Sequence, residues 1–315
     1  MRRIIVFALL VALIVFTLIY KQLNSSQVRF GVVADVHKDI MHDADERLAT
    51  FVDEMNRSKV DFTIQLGDFC RPDSQNVAFL DIWNAFRGPR FHVLGNHDMD
   101  GGFTREQTMA YWGMPKKYYS FDQEGFHFIV LDGNDRTDPP QEGYAHFIGD
   151  EQTSWLRRDL AQNDKPVIIF SHQSLHDAWS VENGEEIRAI LDQHNQQSEK
   201  GRIIACFNGH SHFDGAEQMN GIWYIGINSM SYQWLGEDYQ YLRYSHEVDS
   251  LYPWIKYTAP YKDPLFAEVS ISGQGKIKIR GRSSEFVGPS PWDLGFPEEH
   301  KEQMVPCISD QILEF

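Results

Sequence analysis

Val28-Arg29-Phe30-Gly31-Val32-Val33-Ala34-Asp35-Val36-His37 is the stretch that decides how this chain folds. Its apolar run, residues 28–34, reads as a short strand buried on both faces, and it gives way to two polar residues two positions apart. Side chains at i and i+2 of an extended segment point the same way, so Asp35 and His37 can serve one centre. The same grammar recurs four times: residues 62–66 run into Gly67-Asp68, 91–94 into Gly95-Asn96-His97-Asp98, 166–170 into Ser171-His172, and 203–207 into Asn208-Gly209-His210-Ser211-His212. Five such strands imply an α/β fold that brings five polar islands to one sheet edge, where open α/β sheets keep their sites.

The donors in those islands suit divalent cations. Imidazole favours zinc and iron, carboxylate and amide oxygens favour manganese or magnesium, and the set holds no thiolate. Mn, Fe, Zn and Co all remain compatible. A carboxylate such as Asp68 can bridge two ions about 3.5–4 Å apart, the separation used for in-line displacement at phosphorus. Each island alone has an ordinary explanation: Asp-x-His and Gly-Asp are common in loops, and Gly-Asn-His-Asp suits a turn. The ordered set of five, each after a strand, has no such explanation. His42, His92, His127, His146, His176, His194, His246 and His300 carry no such pattern and read as surface or packing residues, with His176 near enough to His172 in sequence to line the site.

The order D-x-H, GD, GNH followed by D or E, H, and GHxH resembles the calcineurin-like metallophosphoesterase superfamily across roughly residues 28–284. The resemblance implies a four-layer α/β/β/α sandwich with a dinuclear site at the strand ends. It implies that Asp35, His37, Asp68 and His212 hold one metal and that Asp68, Asn96, His172 and His210 hold the other. It further implies that His97 is the acid that protonates the leaving oxygen and that Asp98 orients it. The expected reaction is hydrolysis of small phosphodiesters or phosphomonoesters by a hydroxide generated between the ions. Two alternatives stand beside it: a sugar-nucleotide or lipid pyrophosphate hydrolase, and a catalytically silent metal-binding scaffold, against which the intact His97 speaks.

Departures from subfamily patterns narrow the field. Ser/Thr protein phosphatases of this type carry GDxVDRG, whereas Asp68 is followed here by Phe69-Cys70-Arg71-Pro72-Asp73. Purple acid phosphatases have Asp-x-Gly first and a tyrosine three residues after the bridging Asp, where this chain has His37 and Arg71. Arg71 is either a phosphate clamp, since guanidinium matches two phosphate oxygens, or an exposed loop residue.

A net charge of -16 disfavours tight binding to long nucleic acid. The hydrophobic fraction of 42% allows one sizeable core, and the interleaved motifs leave no room for a second catalytic domain. Cys70, Cys206 and Cys307 form neither a disulfide framework nor a metal-binding spacing. Residues 1–27 read as a signal-anchor or signal peptide with its tether: Arg2-Arg3 precedes an uncharged apolar run over residues 4–20, and no small-x-small cleavage site follows. By the positive-inside rule the catalytic domain, residues 28–288, would be anchored to the membrane and extracytoplasmic, or secreted or periplasmic after cleavage. Helices are predicted over residues 44–56, 76–86, 104–112 and 151–161, and hairpins over 118–131, 215–227 and 265–279. Residues 228–264 form an aromatic-rich insertion, either a lid that stacks on a ring-bearing substrate or a flap that packs on the sandwich. Residues 289–315 read as a surface tail.

Overall fold

A computed structural model describes residues 27–140 and 142–315. The expected membrane segment lies outside the described residues, and among those described no helix is long and apolar enough to cross a membrane.

Strand β1 (Gln27–Val33) shows how this sequence makes layers. Alternate side chains enter two different cores: Val28, Phe30 and Val32 point between the sheets, while Val33 points under a helix layer. Helix α1 (Ala44–Ser58) leads to β2 (Phe62–Gln65), and α2 (Val77–Asn84) leads to β3 (Arg90–His92). Leu48, Phe51, Phe79 and Trp83 of the two helices bury against Val33. After α3 (Arg105–Trp112) come β4 (Tyr119–Gln123) and β5 (Phe126–Val130), then α4 (Asp150–Ala161), β6 (Val167–Ser171), α5 (Gly184–Gln197) and β7 (Ile203–Asn208). The hairpin β8 (Gly215–Met219) and β9 (Ile222–Gly226) precedes a short ribbon of β10 (Tyr232–Trp234) and β11 (Thr258–Pro260), with α6 (His246–Leu251) between them. The chain ends with β12 (Ala267–Ser272), β13 (Lys276–Arg280) and β14 (Gln311–Glu314).

Two six-stranded sheets result, ordered β14-β13-β12-β1-β2-β3 and β4-β5-β6-β7-β9-β8. Within the first, β1, β2 and β3 run parallel, as do β5, β6, β7 and β9 in the second. One core fills the space between the sheets, a second lies under α1 and α2, and a third under α4 and α5, where Leu156, Ile187 and Leu191 cover Ile169 and Cys206. This is the expected α/β/β/α sandwich.

Phe30 ties the sheets together. Its ring stacks on Phe62 at 5.0 Å and meets the edges of Phe128, Phe170 and Phe207 at 6.1, 5.6 and 5.8 Å. All five rings are fully buried, each worth about 1.5–3 kcal/mol in removed apolar surface. Four of them sit on β1, β2, β6 and β7, the strands that end in Asp35, Asp68, His172 and His210, so the ring cluster sets the spacing of the site.

The two carboxy-proximal segments do more than the sequence suggested. Residues 289–315 are not merely laid along the surface, because β14 pairs with β13 as the sheet's edge strand and Met304 packs with Leu235 and Ala259. In the insertion, Tyr244 and Tyr252 pack on His42, Tyr239 packs on Phe296, and Tyr261 is buried. That is the behaviour of a packed flap. Trp234 and Trp254 remain exposed and flank Tyr257.

Candidate metal centre

The backbone turns sharply where each strand delivers its island. Asp35 (φ 51°), His37 (φ 50°), Asp68 (φ 50°), His210 (φ 64°) and His212 (φ 54°) all lie in the left-handed region. Each costs on the order of 1–2 kcal/mol, less for Asp and His, which tolerate this region better than most residues. Among the described residues, five of the eight non-glycine positions with positive φ are therefore candidate ligands. Strain concentrated in this way marks functional sites.

Cross-links between the islands hold the turns. Asp35 N–H donates to the Gly67 carbonyl (3.1 Å), His37 N–H to the Asp68 carbonyl (2.9 Å) and Gly209 N–H to the His172 carbonyl (3.1 Å). Ser229 and Ser231 donate their hydroxyls to the carbonyls of Asp35 and Val36, both at 2.8 Å. The motif glycines serve close approach. A Cβ on Gly209 would meet Asp35 Oδ2 at 2.5 Å, while those on Gly67 and Gly95 would overlap His172 Nδ1 and Asp68.

Two ligand groups emerge: Asp35, His37 and His212 in one, and Asp68, His172 and His210 in the other, with the donor atoms of each group within 4.8 Å of one another. A single oxygen links them. Asp68 Oδ2 is 3.7 Å from His37 Nε2 and 3.3 Å from His172 Nε2. Asp35 Oδ1 lies 3.3 Å from His212 Nε2 and 3.9 Å from His37 Nε2. Asn96 Oδ1 joins the second group 3.1 Å from His172 Nε2, and His210 Nδ1 stands 3.2 Å from that same nitrogen. The remaining ring nitrogens set the tautomers: His172 Nδ1–H donates to the Leu66 carbonyl and His212 Nδ1–H to that of Tyr232, both at 2.8 Å, so each Nε2 lone pair faces inward. Tyr232 also stacks on His37 at 5.0 Å.

The donor chemistry fits two cations. Asp35 Oδ1 and His37 Nε2 are buried and have no hydrogen-bond partner, and the atoms around them are also acceptors. Buried carboxylate and imidazole atoms that converge without a hydrogen bond are satisfied by a cation.

His97 lies beside the first group, its ring 5.4 Å from that of His37. Burial would lower its pKa, but Asp68 and the hydrogen bond to Asp100 raise it to about 9. The carboxylate on His97 Nδ1 is that of Asp100, at 2.7 Å, and not that of Asp98. Asp98 faces the other way and accepts from the backbone N–H groups of Asp68 (3.0 Å), Phe69 (2.7 Å) and Gly95 (2.8 Å). The cause is local geometry: residues His97–Met99 form a 3₁₀ turn, in which positions three apart eclipse, so Asp100 and not Asp98 stands over His97. Nothing in the sequence motif points to Asp100, nor to Tyr144, whose hydroxyl is 3.1 Å from His97 Nδ1.

Residues outside the islands have other work. The Arg71 guanidinium bonds Asp39 at 3.0 Å, and Asp39 also accepts from Arg71 N and Asn76. His176 bonds Ser174 and packs on Tyr224, and it belongs to neither candidate ligand group. His92 is buried against Trp83 and Trp112, and His127 bridges Asp122 and Asp159.

Residues 28–214 match the family model for calcineurin-like phosphoesterases, and the chain belongs to that family. Over 212 residues it is 26% identical to a manganese-dependent ADP-ribose/CDP-alcohol diphosphatase of Oryza sativa subsp. japonica, covering 50% of this chain and 64% of that protein. Over 164 residues it is 24% identical to purple acid phosphatase 23 of Arabidopsis thaliana, covering 45% of this chain and 33% of that protein. Both matches span less than two thirds of the relative's length. A dimetal phosphatase from Danio rerio shares the fold, with a TM-score of 0.60 at 17% identity over 84% of this chain and 99% of that one.

Proposed function

We propose that the protein is a metal-dependent phosphoesterase that hydrolyses small phosphodiesters or phosphomonoesters. The observation that carries this reading is the shared oxygen: Asp68 Oδ2 stands between two groups of inward-facing acceptors, with His97 alongside. Asp35, His37, Asp68 and His212 would hold one cation, and Asp68, Asn96, His172 and His210 the other. Bound there, two divalent ions supply Lewis acidity, neutralising phosphoryl oxygens and acidifying water. The protein's own groups do the rest. Asp100 accepts from His97 Nδ1, which leaves Nε2 to give a proton to the departing oxygen, a contribution of about 10² to 10⁴ in rate. Asp98 pins the backbone between Asp68 and Gly95, so the bridging carboxylate and the acid keep one geometry.

A second reading is hydrolysis of a pyrophosphate bond in a nucleotide-like substrate. The likeness to an ADP-ribose/CDP-alcohol diphosphatase favours it, and the exposed rings of Trp234 and Tyr144 offer stacking surfaces. The apolar run at residues 4–20 supports an extracytoplasmic, membrane-anchored location, which protease accessibility in intact and permeabilised cells would test.

The test of function is reconstitution. Metal-stripped protein is reloaded with Mn, Zn, Fe or Co and assayed on bis(p-nitrophenyl) phosphate, p-nitrophenyl phosphate and ADP-ribose. Turnover restored by metal is the expected result, and the substrate ratio sorts diester, monoester and pyrophosphate chemistry. Two bound metals without turnover of any of these would overturn the reading.

A further inference from the structure

Tyr144 and Asp100 lie outside every motif, yet both touch His97. The Tyr144 hydroxyl donates to Asp100, 3.1 Å from Oδ1 and 3.3 Å from Oδ2, and its oxygen is 3.1 Å from His97 Nδ1. With the 2.7 Å bond from His97 Nδ1 to Asp100 Oδ2, three side chains close a triangle at the Nδ1 edge of the imidazole. The Tyr144 ring lies 4.6 Å from the His97 ring and is half exposed.

The loop that carries Tyr144 is held at its neck. Asp135 N–H donates to the Phe147 carbonyl (3.0 Å) and Phe147 N–H to that of Gly133 (2.8 Å), while Glu182 N–H donates to the His146 carbonyl (2.7 Å). His146 Nδ1–H donates to the carbonyl of Tyr144 itself at 2.9 Å. The tyrosine thus reaches His97 from a fixed base. Burial, with Asp100 beside it, raises its phenol well above the ordinary value, so it remains a donor at working pH.

We propose that Tyr144 is a positioning residue for proton delivery to the leaving group: acting through Asp100, it fixes the plane and tautomer of His97 so that Nε2 addresses the departing oxygen. This rests on the phosphoesterase reading. The step it serves is P–O cleavage in which the proton on His97 Nε2 passes to the leaving oxygen, while water forms the new P–O bond and releases a proton to solvent, from which the ring is reprotonated.

Tyr144→Phe keeps the ring and removes the hydroxyl. In the full-length, metal-loaded protein it should lower kcat on a phosphoester with an alkoxide leaving group, such as glycerol 2-phosphate, by about tenfold, a fraction of what general acid catalysis supplies. On p-nitrophenyl phosphate, which needs little protonation, kcat should change less than about twofold, and KM should hold on both. In a His97→Ala background the same substitution should have no further effect. A second readout needs no turnover: in protein labelled with ¹⁵N-histidine, the His97 Nδ1–H resonance should move and exchange faster in Tyr144→Phe, with an unchanged thermal midpoint. Equal losses on the two esters, a loss that persists without His97, or an unaltered His97 resonance would each overturn the proposal while leaving the phosphoesterase standing. A wild-type protein inactive on every ester with two metals bound would remove both.

Discussion

Replacing Gly95 with alanine adds one methyl group at the point where two islands touch. The new Cβ would overlap both the backbone nitrogen and Oδ1 of Asp68 and would lie 2.9 Å from its Cγ. A rotamer change cannot relieve a clash with a residue's own backbone, so the loop itself has to shift. That shift pulls on two bonds to the Asp98 carboxylate, from Gly95 N–H at 2.8 Å and from Asp68 N–H at 3.0 Å. Overpacking of this kind costs about 1–3 kcal/mol, and stranding one buried backbone N–H adds about 1–3 kcal/mol. The expected destabilisation is thus about 2–6 kcal/mol. A displacement of Asp68 by roughly 1 Å can also cost about 10²-fold in rate. Chemical denaturation in chelator reports the first effect, and kcat of the metal-loaded protein on p-nitrophenyl phosphate, with metal stoichiometry after dialysis, reports the second. Gly215→Ala is the control, since its Cβ would meet nothing within 4 Å. If Gly95→Ala retained two metals and unfolded at the same denaturant concentration as Gly215→Ala, the close-approach argument would be wrong.

Other perturbations probe separate parts of the structure. His97→Ala should slow alkyl phosphoesters by about 10² to 10⁴ while sparing nitrophenyl esters, and equal losses on both would remove His97 as the acid. Asp98→Ala strands three backbone N–H donors and should cost about 2–4 kcal/mol even in metal-free protein, measured by urea denaturation. Asp68→Ala should leave at most one bound metal, and full occupancy by elemental analysis would end the bridging role. His127 sets a pH dependence far from the ligands. Burial opposes its protonation, but hydrogen bonds to Asp159 and Asp122 outweigh it and raise the pKa. Its contribution should be complete below the unfolded value of about 6.5 and fade as pH rises through the raised folded value. The stability difference between wild type and His127→Gln should shrink over that alkaline-going window, and a difference that grew would reverse the assignment.

Much of the site was legible because its chemistry is written at strand ends. Buried strands are short and apolar, so a sudden Asp, His or Asn stands out, and five such breaks mark the fold and the residues that gather into the two candidate clusters. Helices at residues 44–56 and 151–161 showed their apolar faces in the same way. What stayed hidden depends on rotation and not on composition. Asp98 stands next to His97 in the chain, and only the 3₁₀ turn moves Asp100 over the ring in its place. Tyr144 reaches the site through a loop without periodicity, closed by backbone bonds that no residue type announces. Strand β14 is short and half exposed and gains its meaning from pairing with β13. Helix α5 did carry a readable signal, with Ile187, Ile190 and Leu191 spaced to bury one face.

The left-handed turns at Asp35, His37, Asp68, His210 and His212 also restrict which elements this scaffold can come to hold. Aspartate, asparagine and histidine are the metal-binding residues that adopt positive φ most readily, and they offer oxygen and imidazole nitrogen. Cysteine has no such ease, so each thiolate placed at these positions would carry the cost of a left-handed turn, on the order of 1–2 kcal/mol. The path of the main chain thus favours oxygen and imidazole donors over sulfur at these five positions.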